Sequence, residues 1–160
     1  MNKAIGFIGL GVMGSPMAGH LSSHHEIKVF NRSLEKTKSW IKKYSGSECS
    51  SVKEISKVSD ILILCVGNDN DVREIISKKD GALEHLKSGS CIVDHTTTSA
   101  NLAKEMNDLL STKNINYLDA PISGGQVGAE SGQLSIMVGG KNELYEELKD
   151  ILMTFQKTRL

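Results

Sequence analysis

The order of apolar and polar segments predicts an α/β chain built as one open, doubly wound, mostly parallel sheet with helices on both faces. Three observations carry this expectation. Short strand-like runs alternate with helix-like stretches along the sequence. The run Ile61-Leu62-Ile63-Leu64-Cys65-Val66 is continuously apolar, as a strand buried on both faces of a parallel sheet must be. The first strand-like run passes through a Gly-x-Gly-x-x-Gly turn directly into a helix-like segment.

The elements follow in order. Ile5 to Ile8 reads as the first strand, and the helix after the glycine turn runs to about His20 and Leu21. Ile27 to Phe30 is a second strand. Ser33 to Tyr44 has the Lys-rich composition of a surface helix, with Trp40 and Ile41 available to pack inward. After the buried strand at Ile61–Val66, Asp71 to Ser77 is helical, Cys91 to Val93 a short buried strand and Asn101 to Leu110 a helix. Tyr117–Asp119 and Leu134–Val138 are later strands, and Asn142 to Met153 is a final amphipathic helix. Ser123 to Gly132, rich in glycine, reads as the one long irregular connection.

The turn is Gly9-Leu10-Gly11-Val12-Met13-Gly14. Gly9 permits the sharp bend, Gly11 lets the backbone approach a phosphate without a Cβ, and Gly14 lets the helix sit close to the strand. The helix N-terminus adds unpaired N–H groups, so the segment is suited to a dinucleotide pyrophosphate. An NAD-type site places an acid about twenty residues on, against the ribose hydroxyls. Here the second strand ends in Asn31, Arg32 and Ser33. A guanidinium without a carboxylate favours NADP, with NAD possible. The plainer alternative is that Arg32 faces solvent and Asn31 caps the next helix.

A length of 160 residues sets one domain as the expectation. Nineteen basic against 19 acidic residues leave no net charge, which argues against nucleic acid or an anionic membrane as a partner. Cys49, Cys65 and Cys91 lack metal or redox spacing, and Cys65 and Cys91 read as small buried hydrophobes suited to a reducing compartment. With no signal peptide and no membrane-length apolar run, the expected location is cytoplasmic. His20 and His24 stand at i and i+4 without a supporting acid or thiol, so no metal is expected. Ser123 has no histidine at nucleophile spacing.

Two further blocks are Asp94-His95-Thr96-Thr97-Thr98-Ser99 and Asp119-Ala120-Pro121-Ile122-Ser123-Gly124-Gly125-Gln126-Val127-Gly128, continuing to Gly140. Together with the glycine turn, in order and spacing, they make residues 3 to about 155 resemble the β-hydroxyacid dehydrogenase family, nearest its 3-hydroxyisobutyrate dehydrogenases. The resemblance implies a Rossmann-type domain over residues 1–155, with 156–160 a divergent short tail. It implies that Gly9, Leu10, Gly11, Val12, Met13 and Gly14 hold the pyrophosphate, and Asn31, Arg32 and Ser33 the adenosine end. Val66, Gly67 and Asp71 fall on the cofactor side, with Gly67 where relatives often carry proline, and Thr97 near the nicotinamide. Ser123, Gly124 and Gly125 match the loop that grips a substrate carboxylate. His95 is given no role as a base by the resemblance.

In such enzymes hydride passes between nicotinamide and a small 3-hydroxy acid or its semialdehyde, and a lysine serves the oxygen as general acid and base. That lysine is expected beyond Leu160, on an all-α C-terminal domain absent from this sequence; Lys141 and Lys149 belong to a surface helix. No catalytic residue is therefore assigned within the chain. The expectation is a truncated oxidoreductase, prone to self-association through uncovered apolar surface; the alternative is a non-catalytic NADP-binding module or gene remnant.

Overall fold

The computed structural model describes residues 3–156. Strands β1 (Ile5–Ile8), β2 (Ile27–Phe30), β3 (Ser47–Glu48), β4 (Ile61–Leu64), β5 (Cys91–Asp94) and β6 (Asn116–Asp119) form a six-stranded sheet in the order β3-β2-β1-β4-β5-β6. Every pairing within it is parallel, with Ile5 beside Ile27 on one flank and Ile61 on the other. Helices α1 (Gly14–Ser22), α2 (Leu34–Lys43), α3 (Val52–Lys57), α4 (Asp69–Ser77), α5 (Ala82–His85) and α6 (Ala100–Ser111) connect the strands. A short antiparallel pair, β7 (Ile122–Ser123) with β8 (Ser135–Ile136), encloses α7 (Gly125–Ser131), and α8 (Asn142–Leu152) follows.

The sheet divides two cores. Ile61 and Ile63 enter one with Phe7, Met17, Trp40 and Phe155. Leu62 and Leu64 enter the other with Ile55, Ile76, Ile92 and Met106. Alternate residues of β4 thus feed opposite faces, which is why its sequence is apolar without interruption.

Several local expectations change. Ser123–Gly132 is not an irregular connection, because α7 occupies most of it; Ala129 is buried there and Gly132 ends the helix in the left-handed conformation. Packing overrides the poor helix propensity of its glycines: His20 Nε2 lies 3.0 Å from the carbonyl oxygens of both Ala129 and Glu130, tying α1 to α7. The expected strand Leu134–Val138 shrinks to β8 and stays outside the parallel sheet, with Gly139 bridged antiparallel to Asp119. Beyond α7, four elements, β3, α3, α5 and β7, are additional to those expected. Of these, α3 carries a sequence signal: Ser51 accepts from the Glu54 N–H at 3.0 Å while the Glu54 carboxylate turns back to Ser50.

Cys49 and Cys91 are buried, whereas Cys65 is only half-buried. Of the expected tail 156–160, Gln156 is paired with Leu134 in a parallel bridge, and 157–160 lie outside the described residues. Val127 (77%) and Met137 (73%) stand exposed. Among the described residues no helix is long and apolar enough to cross a membrane.

Candidate functional site

Between β1 and β4 the winding of the sheet reverses: α1 returns the chain towards β2, and α4 carries it on towards β5. Such a switch point leaves a crevice at the carboxyl ends of the strands. A cleft of about 950 Å³ opens there.

The glycine turn forms one wall. Gly9 has φ of 105°, and a Cβ on it would lie 2.0 Å from the Cys65 carbonyl oxygen. A Cβ on Gly14 would lie 1.9 Å from the Gly9 carbonyl oxygen, so both residues are required by close backbone approach. Gly11 differs. A Cβ there would meet no protein atom within 4 Å and would project into open space. The first turn of α1 holds no acidic residue, and no side chain caps it. An uncapped helix start beside the open space at Gly11 fits a bound pyrophosphate.

Beyond the end of β2, Asn31, Arg32 and Ser33 line the cleft together with Lys36. Asn31 also braces the backbone around it. Its Oδ1 accepts from the Leu10 N–H at 2.9 Å, and its Nδ2 donates to the Ser33 carbonyl at 3.1 Å. Asp71 works similarly beneath the β4 loop, accepting from the Gly67 N–H at 3.2 Å. Asn68 caps α4 by accepting from the Asp71 N–H at 3.0 Å, which starts the helix earlier than Asp71. Polar residues expected as cofactor contacts therefore also fix the loops that form the site.

The opposite end is built on a buried polar chain at the tip of β5. Tyr117 Oη donates to Asp94 Oδ2 at 2.8 Å, and the Thr96 N–H donates to Asp94 Oδ1 at 2.9 Å. Thr96 Oγ1 accepts from the Val66 N–H at 3.1 Å, joining this chain to the cleft wall. Burial pushes the Asp94 carboxyl up to about 6 against the opposing pull of those hydrogen bonds. Burial, followed by the Asp94 charge, pushes the Cys65 thiol up to about 12, so it is not a nucleophile at neutral pH.

His95 is fully buried, with Nδ1 2.7 Å from the Ala120 carbonyl oxygen. A carbonyl only accepts, so Nδ1 carries the hydrogen and Nε2 the lone pair. Nε2 has no hydrogen-bond partner among the described residues, and the ring meets Phe155 edge-on at 5.2 Å. Burial drives its pKa down to about 4, so the ring is neutral at neutral pH and only weakly basic.

All the cofactor and substrate positions expected from the sequence line this one cleft except Leu10, whose side chain is buried in the core and whose N–H binds Asn31. Ser123, Gly124 and Gly125 reach it from β7 and the start of α7; Gly124 and Gly125 have φ of 134° and 62°. Lys36, Glu74 and Ile75 line it too, although no motif in the sequence marks them. Lys36 lies four residues beyond Arg32, in the first turn of α2. Asp80, Glu84 and His85 converge elsewhere, but Lys53 and their own hydrogen bonds already engage them.

Comparison with known proteins agrees with this geometry. Residues 4–159 match the NAD binding domain of 6-phosphogluconate dehydrogenase. A probable mitochondrial 3-hydroxyisobutyrate dehydrogenase-like protein of Arabidopsis thaliana is 39% identical over 151 residues, covering 94% of this chain and 50% of that protein. The structure of Mycobacterium tuberculosis 3-hydroxyisobutyrate dehydrogenase with L-serine superposes with a TM-score of 0.92 at 26% identity, over 100% of this chain and 54% of that one. Psf3 in complex with NADP+ and 2-OPP gives 0.91 at 29% identity, over 97% and 55%. The chain spans about half the length of the curated relatives it matches. By its sequence, its sheet order and its glycine-walled cleft, the chain belongs to the NAD-binding domain family of 6-phosphogluconate dehydrogenase, among relatives named for 3-hydroxyisobutyrate dehydrogenase.

Proposed function

We propose that this chain is the cofactor-binding part of an NADP-preferring oxidoreductase of the 3-hydroxyisobutyrate dehydrogenase type, acting on a small 3-hydroxy acid or its semialdehyde. One observation carries the reading: the glycine turn and the Ser123-Gly124-Gly125 loop open onto the same cleft. A dinucleotide held there would supply or accept the hydride. Gly11 and the start of α1 bind its pyrophosphate. Arg32 and Lys36, the two cations that line the cleft among the described residues, face the adenosine end and favour a 2′-phosphate. Val66, Gly67, Asp71 and Thr97 shape the wall along the remainder, and the Ser123–Gly125 loop receives the substrate carboxylate.

Proton transfer at the substrate oxygen requires a general acid–base group. Among the described residues Lys36 is the lysine lining the cleft, and it stands with Arg32 and Ser33 rather than beside Thr97. That placement favours a second reading, in which the chain alone binds NADP without turning over a hydroxy acid. Fluorescence titration with NADPH and NADH, followed by NADP-dependent oxidation of 3-hydroxyisobutyrate, separates the two. Tight NADPH binding with negligible turnover supports the binding module; turnover supports an oxidoreductase complete in itself. A clear NADH preference defeats the cofactor assignment.

A further inference from the structure

Asn31 occupies the position where an NAD-type site carries its acid, yet the adenosine end of the cleft is not free of carboxylates. Glu74, on α4, lines the same cleft as Arg32, Ser33 and Lys36, which stand at the end of β2 and the start of α2. These two groups reach it from opposite sides of the switch point. Glu74 is held by Lys78 at 2.9 Å on its own helix, and its carboxyl sits below its ordinary range through that hydrogen bond first and the Arg32 charge last.

We propose that Glu74 is a selectivity residue that opposes Arg32 and Lys36, narrowing the preference for NADP over NAD. The inference rests on the reading that these cations meet the 2′-phosphate. A phosphomonoester carries close to two negative charges at neutral pH, whereas a ribose 2′-hydroxyl carries none and can donate a hydrogen bond to a carboxylate. A fixed negative charge lining the same cleft repels the pyrophosphate that both cofactors share, and penalises NADP further through its 2′-phosphate. Lys78 moderates that penalty by neutralising part of it.

The test is a titration of the purified chain with NADPH and with NADH, followed by cofactor fluorescence. Glu74→Gln removes the charge and keeps the shape. The variant is expected to bind NADPH about 3-fold more tightly at low salt, with a smaller gain for NADH, and the difference should fade at about 0.5 M salt. Equal shifts for both cofactors, no shift, or a shift that survives high salt overturns the proposal. Arg32→Ala runs beside it. If that change lowers the NADPH-to-NADH ratio while Glu74→Gln leaves it alone, the cofactor reading stands and the Glu74 inference falls. If Arg32→Ala leaves the ratio unchanged, both fall.

Discussion

The Leu10 N–H donates to Asn31 Oδ1 at 2.9 Å, so a residue at the end of one strand braces the glycine turn at the end of its neighbour. Asn31→Leu strands that half-buried donor and should cost about 1–2 kcal/mol in urea unfolding. NADPH affinity should fall with it, because the turn loses its brace. Asn31→Asp keeps the acceptor and should retain most of the stability while shifting preference toward NADH. Equal stability of the leucine variant and the parent would show that the bond does not hold the turn.

The glycines of the turn should separate folding from binding. Gly14→Ala places a methyl against the Gly9 carbonyl oxygen and should destabilise the fold by about 3 kcal/mol. Gly11→Ala meets only open space, so its melting temperature should barely move. Its NADPH affinity should nonetheless fall about tenfold, equivalent to about 1.4 kcal/mol. A Gly11→Ala protein that binds NADPH normally would mean that no phosphate sits at that position.

Tyr117→Phe removes one of the two hydrogen bonds that keep the buried Asp94 carboxylate satisfied. A loss of about 1–3 kcal/mol is expected. Because that bond lowers the Asp94 pKa against the effect of burial, the variant should titrate higher than the parent in a carbon-13 NMR measurement of Asp94.

Two adjacent residues should give opposite dependences of stability on pH. His95 has its folded pKa lowered to about 4, so its contribution is complete above its unfolded pKa of about 6.5 and is lost as pH falls through 4. Asp94 has its folded pKa raised to about 6, so its contribution is complete below its unfolded pKa of about 3.9 and is lost as pH rises through 6. Over the window from 6 to 4 the two oppose each other. His95→Asn keeps a donor for the Ala120 carbonyl and removes the titration. The stability difference between parent and variant should shrink by on the order of 3 kcal/mol between pH 7 and pH 4. A difference that stays constant across this range would place the His95 pKa near its ordinary value.

The parallel sheet was legible because period and composition agree in its strands: β1, β4 and β5 are short, apolar and followed by turns or helix starts. The cleft was legible because glycine spacing records backbone sterics directly, as Gly9 and Gly14 illustrate. Elements held by tertiary contact were not. The glycine-rich α7 stands through packing on α1, and the two-residue β3 shows no period at all. Likewise the bracing roles of Asn31 and Asp71 depend on which loop lies beside them, a relation between distant residues that local pattern does not encode. Glu74 is hidden for the same reason, since it belongs to the cleft only after α4 is laid along it.

Phe155 sets its ring edge-on against His95 and gives its carbonyl to the Leu134 N–H at 3.0 Å. Gly9, Asn31 and β4 lie early in the chain, whereas Phe155 leaves the ribosome long after them. Phe155 also packs in the core with Phe7, Met17 and Trp40, so the helix that starts at the glycine turn and the wall around His95 both wait for this late residue. A nascent chain therefore cannot finish either end of the cleft until residue 155 has emerged.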